Sequence, residues 1–183
     1  MPRRGGQTPI LRSSLPRTER WPALNARPAR PPAWVRLLLG LPRHLYAHGL
    51  GGLLGSRFLQ VTHTGRHSGR RYDTVLEVVH HDRDTGEYVV VSGFGREADW
   101  YRNIHASGPV AVTVGRRSFR ARARDLELDE AVVVLGGYEH RNRLVAPLVH
   151  RVLSALVGWT YRGTPAQRWR LARELPLVGF RPR

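Results

Sequence analysis

Thr62-His-Thr-Gly65-Arg66-His67-Ser68-Gly69-Arg70-Arg71-Tyr72 gathers three arginines, one serine and two glycines into a single short stretch. Arginine forks pair with the oxygens of phosphates and carboxylates two at a time. Glycine lets a backbone come close to a ligand, a serine hydroxyl adds a donor, and consecutive backbone N–H groups in such a turn can form an anion-binding concavity. The chemistry these residues offer is therefore anion binding. The same stretch also reads as a solvated hairpin whose arginines only keep it soluble, and on residue types alone the two readings stand level. As an exposed loop, it would use Arg66 for binding and leave stability largely untouched.

Other chemistries fare worse. Nine histidines invite a metal reading, but His63 and His67 straddle a turn, and His80-His81-Asp82 sits at a hairpin end. No His-Glu-x-x-His is present, so solvated histidines and no metal site are expected. Ser68 and Ser92 lack the Gly-x-Ser-x-Gly elbow of a nucleophile. With no cysteine, thiol catalysis, disulfides and cysteine metal ligands are excluded, which fits a reducing cytoplasm.

Elements that could position the loop follow from hydrophobic periodicity. Arg57–His63 and Thr74–His81 read as flanking strands, and Asp82-Arg-Asp-Thr-Gly86 as a turn. The dense β-branched run Glu87–Ser92 is broken by Gly93-Phe94-Gly95. Ala98–Ala106 reads as a short helix stopped by Gly108-Pro109. Val110–Val114 and Arg117–Asp125 form a hairpin whose Arg120, Arg122 and Arg124 suggest a solvated, edge-protecting face. Asp129 is placed to cap a helix running to Tyr138. Leu144–Val157 is a second helical stretch, a basic segment follows Gly163, and Leu175–Phe180 closes as a strand. Five or six strands with inserted helices predict a mainly β fold, a small barrel with peripheral helices.

The predicted organisation is a disordered Arg/Pro-rich arm over residues 1–32, a helical segment over 33–54, and one barrel domain over 55–183. The arm holds seven arginines and one acid and cannot bury enough apolar surface to fold. Trp34, Leu37, Leu38 and Leu41 are expected to pack on the barrel, with membrane-surface docking as the minor reading. A net charge of +16 attracts polyanions, whether nucleic acid, a membrane face or an anionic cofactor. Nucleic-acid binding is the rival function, but the aromatics do not interleave with the arginines on one strand face, and much of the charge lies in the arm. A homodimer and a cytoplasmic location, with membrane association through the arm, complete these expectations.

With these pieces in order, the chain resembles the deazaflavin-dependent nitroreductases, which use coenzyme F420 on a split β-barrel (an FMN-binding-like fold). The resemblance spans roughly residues 55–181. It rests on Thr64–Tyr72, Tyr88-Val-Val-Val-Ser-Gly-Phe-Gly95, Asp99-Trp100-Tyr-Arg-Asn103 and Leu175-Pro-Leu-Val-Gly-Phe-Arg-Pro182. It implies an F420H2-dependent reductase acting on a quinone, enone or nitro compound. Arg66, His67, Ser68 and Gly69 would grip the cofactor phosphate, and Arg70 and Arg71 the phosphate or the glutamate tail. Thr74, Val75, Leu76 and Ser92, Gly93, Phe94, Gly95 would wall the deazaflavin ring, with Trp100 and Asn103 on the helix beside it. Tyr138 is the candidate proton donor, set against a plain packing role, with His140 or solvent as alternatives. Relatives usually continue Tyr-Arg-Thr-Pro, whereas this chain has Tyr72-Asp73-Thr74-Val75. That departure implies weaker F420 affinity, a different flavin such as FMN, or an Asp73 turned towards an arginine.

Overall fold

Alternating burial wraps the chain into a barrel. The computed structural model describes residues 55–183, and the expected arm (1–32) and helical segment (33–54) lie outside them. Among the described residues there are six antiparallel strands: β1 (Phe58–Thr64), β2 (Arg71–His81), β3 (Tyr88–Val91), β4 (Val110–Val114), β5 (Arg117–Asp125) and β6 (Leu177–Pro182). They close in the order β1-β2-β3-β6-β5-β4, with β1 pairing to β4. On β1 the inward positions are Leu59, Val61 and His63, all buried. Val90, Val112, Ala121, Val178 and Phe180 complete the interior.

β3 explains its own β-branched density. Tyr88 and Val90 join the barrel core, while Val89 and Val91 join a second apolar layer outside it. Side chains on a strand alternate faces, so a strand covered on both must be apolar throughout. Among the described residues, four helices supply the covering: α1 (Asp99–Ala106), α2 (Leu128–Arg141), α3 (Ala146–Val157) and α4 (Pro165–Glu174). α1 sends Trp100, Tyr101 and Ile104 into the barrel core. Ala131 and Leu135 of α2 and Leu171 and Ala172 of α4 pack with Val79, Val89 and Leu177 on the outside. A register shift between Val78 and His80 spares Val79 from pairing and lets it join that outer layer.

Several boundaries differ from expectation. β2 starts at Arg71 instead of Thr74, because Thr64 pairs with Arg71 and His63 with Tyr72. The anion loop is thereby shortened to residues 65–70. α2 begins at Leu128 with Glu127 as its N-cap, which leaves Asp129 inside the first turn, near the positive end of the helix dipole, instead of capping it. Leu144–Val157 divides into a 3₁₀ turn (Arg143–Val145) and α3, with Pro147 in the first turn of α3 where a missing N–H is harmless. The basic segment after Gly163 is α4, started by the Thr164 hydroxyl accepting from the Gln167 N–H and by Pro165. β5 protects no edge, since it is paired on both sides in the closed barrel. Arg124, expected on a solvated face, is bidentate to the buried Glu87 (2.7 and 2.6 Å) and also pairs with Glu130 of α2. It ties β5 to β3 and to the helical layer.

The pairings sort the connections by barrel end. The loop 65–70 joins the end of β1 to the start of β2, and the residues after Val91 leave the same end, as do the starts of β4 and β6. The turns at 82–87 and 115–116 lie at the opposite end. Among the described residues, no helix is long and apolar enough to cross a membrane.

Candidate functional site

The loop between β1 and β2 is tightly made. Gly65 N–H donates to Arg70 O and Gly69 N–H to Gly65 O, both at 2.8 Å. Ser68 Oγ accepts from the Arg70 N–H at 3.3 Å and lies 3.2 Å from Tyr72 OH. Gly65 is packed under these side chains: a Cβ there would lie 2.6 Å from Ser68 Oγ and 2.7 Å from Tyr72 Cε2. Gly69 turns with φ +65°, the left-handed region that only glycine enters freely.

Arg66 is latched to α1. Its guanidinium reaches Asp99 Oδ1 and Asn103 Oδ1, both at 3.0 Å, and its backbone N–H donates to the same Asn103 oxygen at 3.1 Å. The loop is exposed over His67–Arg70 as expected, but Arg66 itself is tied to the fold, a structural latch as well as a charge, with its side chain only 21% exposed. What remains outward is the part of the loop that offers donors to an anion. Arg70 and Arg71 are exposed with no side-chain partner among the described residues, and the N–H groups of His67 and Ser68 have none there either. Two adjacent free N–H groups beside two unpaired guanidinium groups fit a phosphate or a run of carboxylates.

Asn103 is in turn held from below. Its Nδ2 lies 3.2 Å from His63 Nδ1, and His63 Nε2 lies 3.1 Å from Thr74 Oγ1. Burial holds the His63 imidazole below its ordinary pKa, against the opposing pull of the Asp73 and Asp99 carboxylates. His63 was expected to be solvated, and this is a correction: it fills the last inward position of β1. The signal was in the alternation Leu59-x-Val61-x-His63, which places a histidine where the barrel wants an apolar side chain. Asp73 turns to Thr62, whose hydroxyl donates to Asp73 Oδ1 at 2.5 Å across the β1–β2 pair, not to an arginine.

The remaining candidates divide by exposure. Thr74, Val75 and Leu76 line β2 at intermediate burial. Ser92 is fully buried: its hydroxyl donates to Gly95 O at 2.7 Å and its N–H to Pro176 O at 2.9 Å, so it shapes the break that carries Gly93 and the exposed Phe94. α3 leans over this break, with Leu156 within van der Waals reach of a Cβ on Gly93. Trp100 is buried in the barrel core, edge-on to Tyr101. Tyr138 lies on the outer layer, where its hydroxyl donates to Glu77 Oε1 at 3.1 Å. Burial, then the Glu77 charge, pushes its pKa well above the usual phenol value. His140 is exposed on the same helix. Two concavities of about 500 and 540 Å³ lie beside α2 and at the far barrel mouth, and neither is lined by any of these candidates. Among the described residues, no cluster of His, Asp or Glu is grouped to hold a metal.

Residues 34–142 match the family model described as F420H(2)-dependent quinone reductase. The chain belongs to this family. It is accordingly an F420-dependent reductase, the enzyme class that the resemblance implied, and coenzyme F420 rather than FMN is the cofactor the family names. No curated protein matches the chain. Among solved structures, an F420-H2 dependent reductase is similar at 21% identity over 68% of this chain and 93% of its own, TM-score 0.45. A pyridoxamine 5'-phosphate oxidase-related, FMN-binding protein from Nostoc punctiforme PCC 73102 is similar at 16% identity over 77% and 80%, TM-score 0.41. The family match, not these distant likenesses, carries the assignment.

Proposed function

We propose that this reductase transfers a hydride from reduced F420 to an electron-poor small molecule, such as a quinone, enone or nitro compound. The observation that supports it most is the outward face of the 65–70 loop, where the side chains of Arg70 and Arg71 and the N–H groups of His67 and Ser68 have no partner among the described residues, beside an ordered latch. These groups would hold the cofactor's phosphate and glutamate carboxylates. Thr74, Val75 and Leu76 lie on β2, which starts at this barrel end, and the Ser92–Gly95 break leaves the same end; together they would border the ring. Arg66 and Asn103 fix the loop to α1, and Trp100 anchors α1 in the barrel core. The reduced cofactor supplies the hydride when bound, and the protein contributes binding, orientation and exclusion of water.

Solvent or the exposed His140 would supply the proton for the reduced acceptor, since the Tyr138 hydroxyl already donates to Glu77. Fluorescence titration with F420 tests the cofactor part. Saturable binding in the low micromolar range, weakened by salt, is expected for a site built from arginines. No binding at tens of micromolar, with tight binding of an oligonucleotide instead, would favour the nucleic-acid reading. Oxidation of F420H2 by menadione, by cyclohexenone and by a nitroaromatic, compared in parallel, separates the acceptor classes.

A further inference from the structure

Arg66 presents only donors to Asn103, its backbone N–H at 3.1 Å and its guanidinium at 3.0 Å. Both can be met only by an oxygen, so Asn103 Oδ1 must face the loop and its NH2 must face away. That NH2 lies 3.2 Å from His63 Nδ1, which must therefore be the unprotonated, accepting nitrogen. The ring's single hydrogen sits on Nε2 and is given to Thr74 Oγ1 at 3.1 Å. One tautomer of one buried histidine satisfies the whole chain of contacts.

We propose that neutral His63 is a positioning residue for the anion loop: by accepting from Asn103 it holds the amide with its oxygen towards Arg66, and so presets the loop for an anionic cofactor. The cofactor half of this statement rests on the proposed function; the positioning half does not. Protonation of Nδ1 sets N–H against N–H: a turn of the amide takes the acceptor from the Arg66 N–H, and an opening of the contact removes the group that holds the amide oxygen on it, so the Arg66 hydrogen bond weakens. The charged and titratable groups facing His63 are Asp73 and the stacked Tyr72 from β2, Asp99 from α1 and Arg66 from the loop. The two carboxylates favour a charged ring, and burial with the Asn103 contact favours the neutral one.

A bound anion would itself attract a charged His63, so the decisive readout is taken without cofactor. The hydrogen-exchange protection factor of the Arg66 amide is followed by NMR in the full-length protein from about pH 8 to about pH 5. In the wild type, protection should fall about tenfold, the scale of one hydrogen bond, as His63 titrates. His63→Asn places an oxygen near the position of Nδ1 and should keep the protection at every pH. His63→Gln reaches the Nε2 position instead and should lose it at every pH. F420 affinity should follow, nearly unchanged in His63→Asn and about tenfold weaker in His63→Gln. Arg66 protection that stays intact in a folded His63→Gln variant overturns the proposal. Should that variant not fold, a wild-type protection factor that stays flat while the His63 ring resonances themselves titrate, with the pH lowered until they do, overturns it equally. Protection that behaves as described in a protein that binds no F420 upholds the lock and removes only the cofactor reading.

Discussion

Arg66 and Arg70 sit four residues apart in one loop and do different work. Arg66 is held by Asp99 and Asn103, whereas the Arg70 side chain is exposed without a partner among the described residues. Arg70→Ala should therefore weaken F420 binding by about 1.5–3 kcal/mol, the range for charge-assisted hydrogen bonds, and leave the melting temperature unchanged. Arg66→Ala should lose affinity and also about 0.5–1.5 kcal/mol of stability, mostly through Asn103, since Asp99 is largely exposed and its ion pair is weak. Identical stability of the two variants in urea would count against the latch. Tyr138→Phe keeps the ring in the outer layer and deletes the donor to Glu77. Stability should fall by about 1 kcal/mol while turnover stays within about threefold of wild type. A turnover loss of about a hundredfold would restore Tyr138 as the proton donor.

At the scale of elements, the loop's shape depends on what Gly65 lacks. A Cβ at this position meets the Ser68 hydroxyl and the Tyr72 ring, both exposed side chains that can swing aside. Gly65→Ala should accordingly fold, with a stability loss of about 1 kcal/mol or less, yet disturb the Ser68–Tyr72 contact that sets the loop's outer edge. The expected result is an F420 affinity reduced about tenfold or more beside a nearly unchanged unfolding curve. An unchanged affinity would show that Ser68 and Tyr72 do not shape the anion site. α1 matters for the same reason: Trp100 and Ile104 anchor it in the core, so Asn103 is presented to Arg66 from a rigid element.

For the molecule as a whole, pH acts through its buried histidine before its carboxylates. His63, chiefly through burial, and His81, through burial and the neighbouring Arg83, both have pKa values below the ordinary 6.5. A depressed histidine pKa means the unfolded chain binds the proton more readily. Its stabilising contribution is full above about pH 6.5 and is lost as the pH falls towards the folded value. The urea midpoint should drop between about pH 7.5 and about pH 5.5, and His63→Asn should flatten part of that slope. Glu130, held low by its hydrogen bond from Arg124, adds a separate loss at more acid pH. A midpoint that does not change across the histidine range would contradict the neutral, buried state of His63.

Local pattern alone determined the strands, the breaks between them and the arginine loop, because strand alternation and Gly/Pro punctuation are short-range signals. It also sufficed for the barrel class and for the match to deazaflavin enzymes, through the order of Gly65–Arg71, Ser92–Gly95 and Asp99–Asn103. What it left open depends on contacts distant in sequence. That β5 has neighbours on both sides follows from barrel closure, so Arg124 finds Glu87 and Glu130 instead of water. The helix at Pro165–Glu174 shows little apolar periodicity, since only Leu171 and Ala172 of it are buried, and its arginines hid it among basic loops. Asp73 looked like a handicap or an arginine partner until the β1–β2 register set it opposite Thr62. His63 and Asn103 stand forty residues apart, and folding alone brings them to 3.2 Å. A hydrogen-bond chain that fixes a loop through a tautomer leaves no trace in spacing, because its geometry exists only where a strand end, a loop and a helix meet.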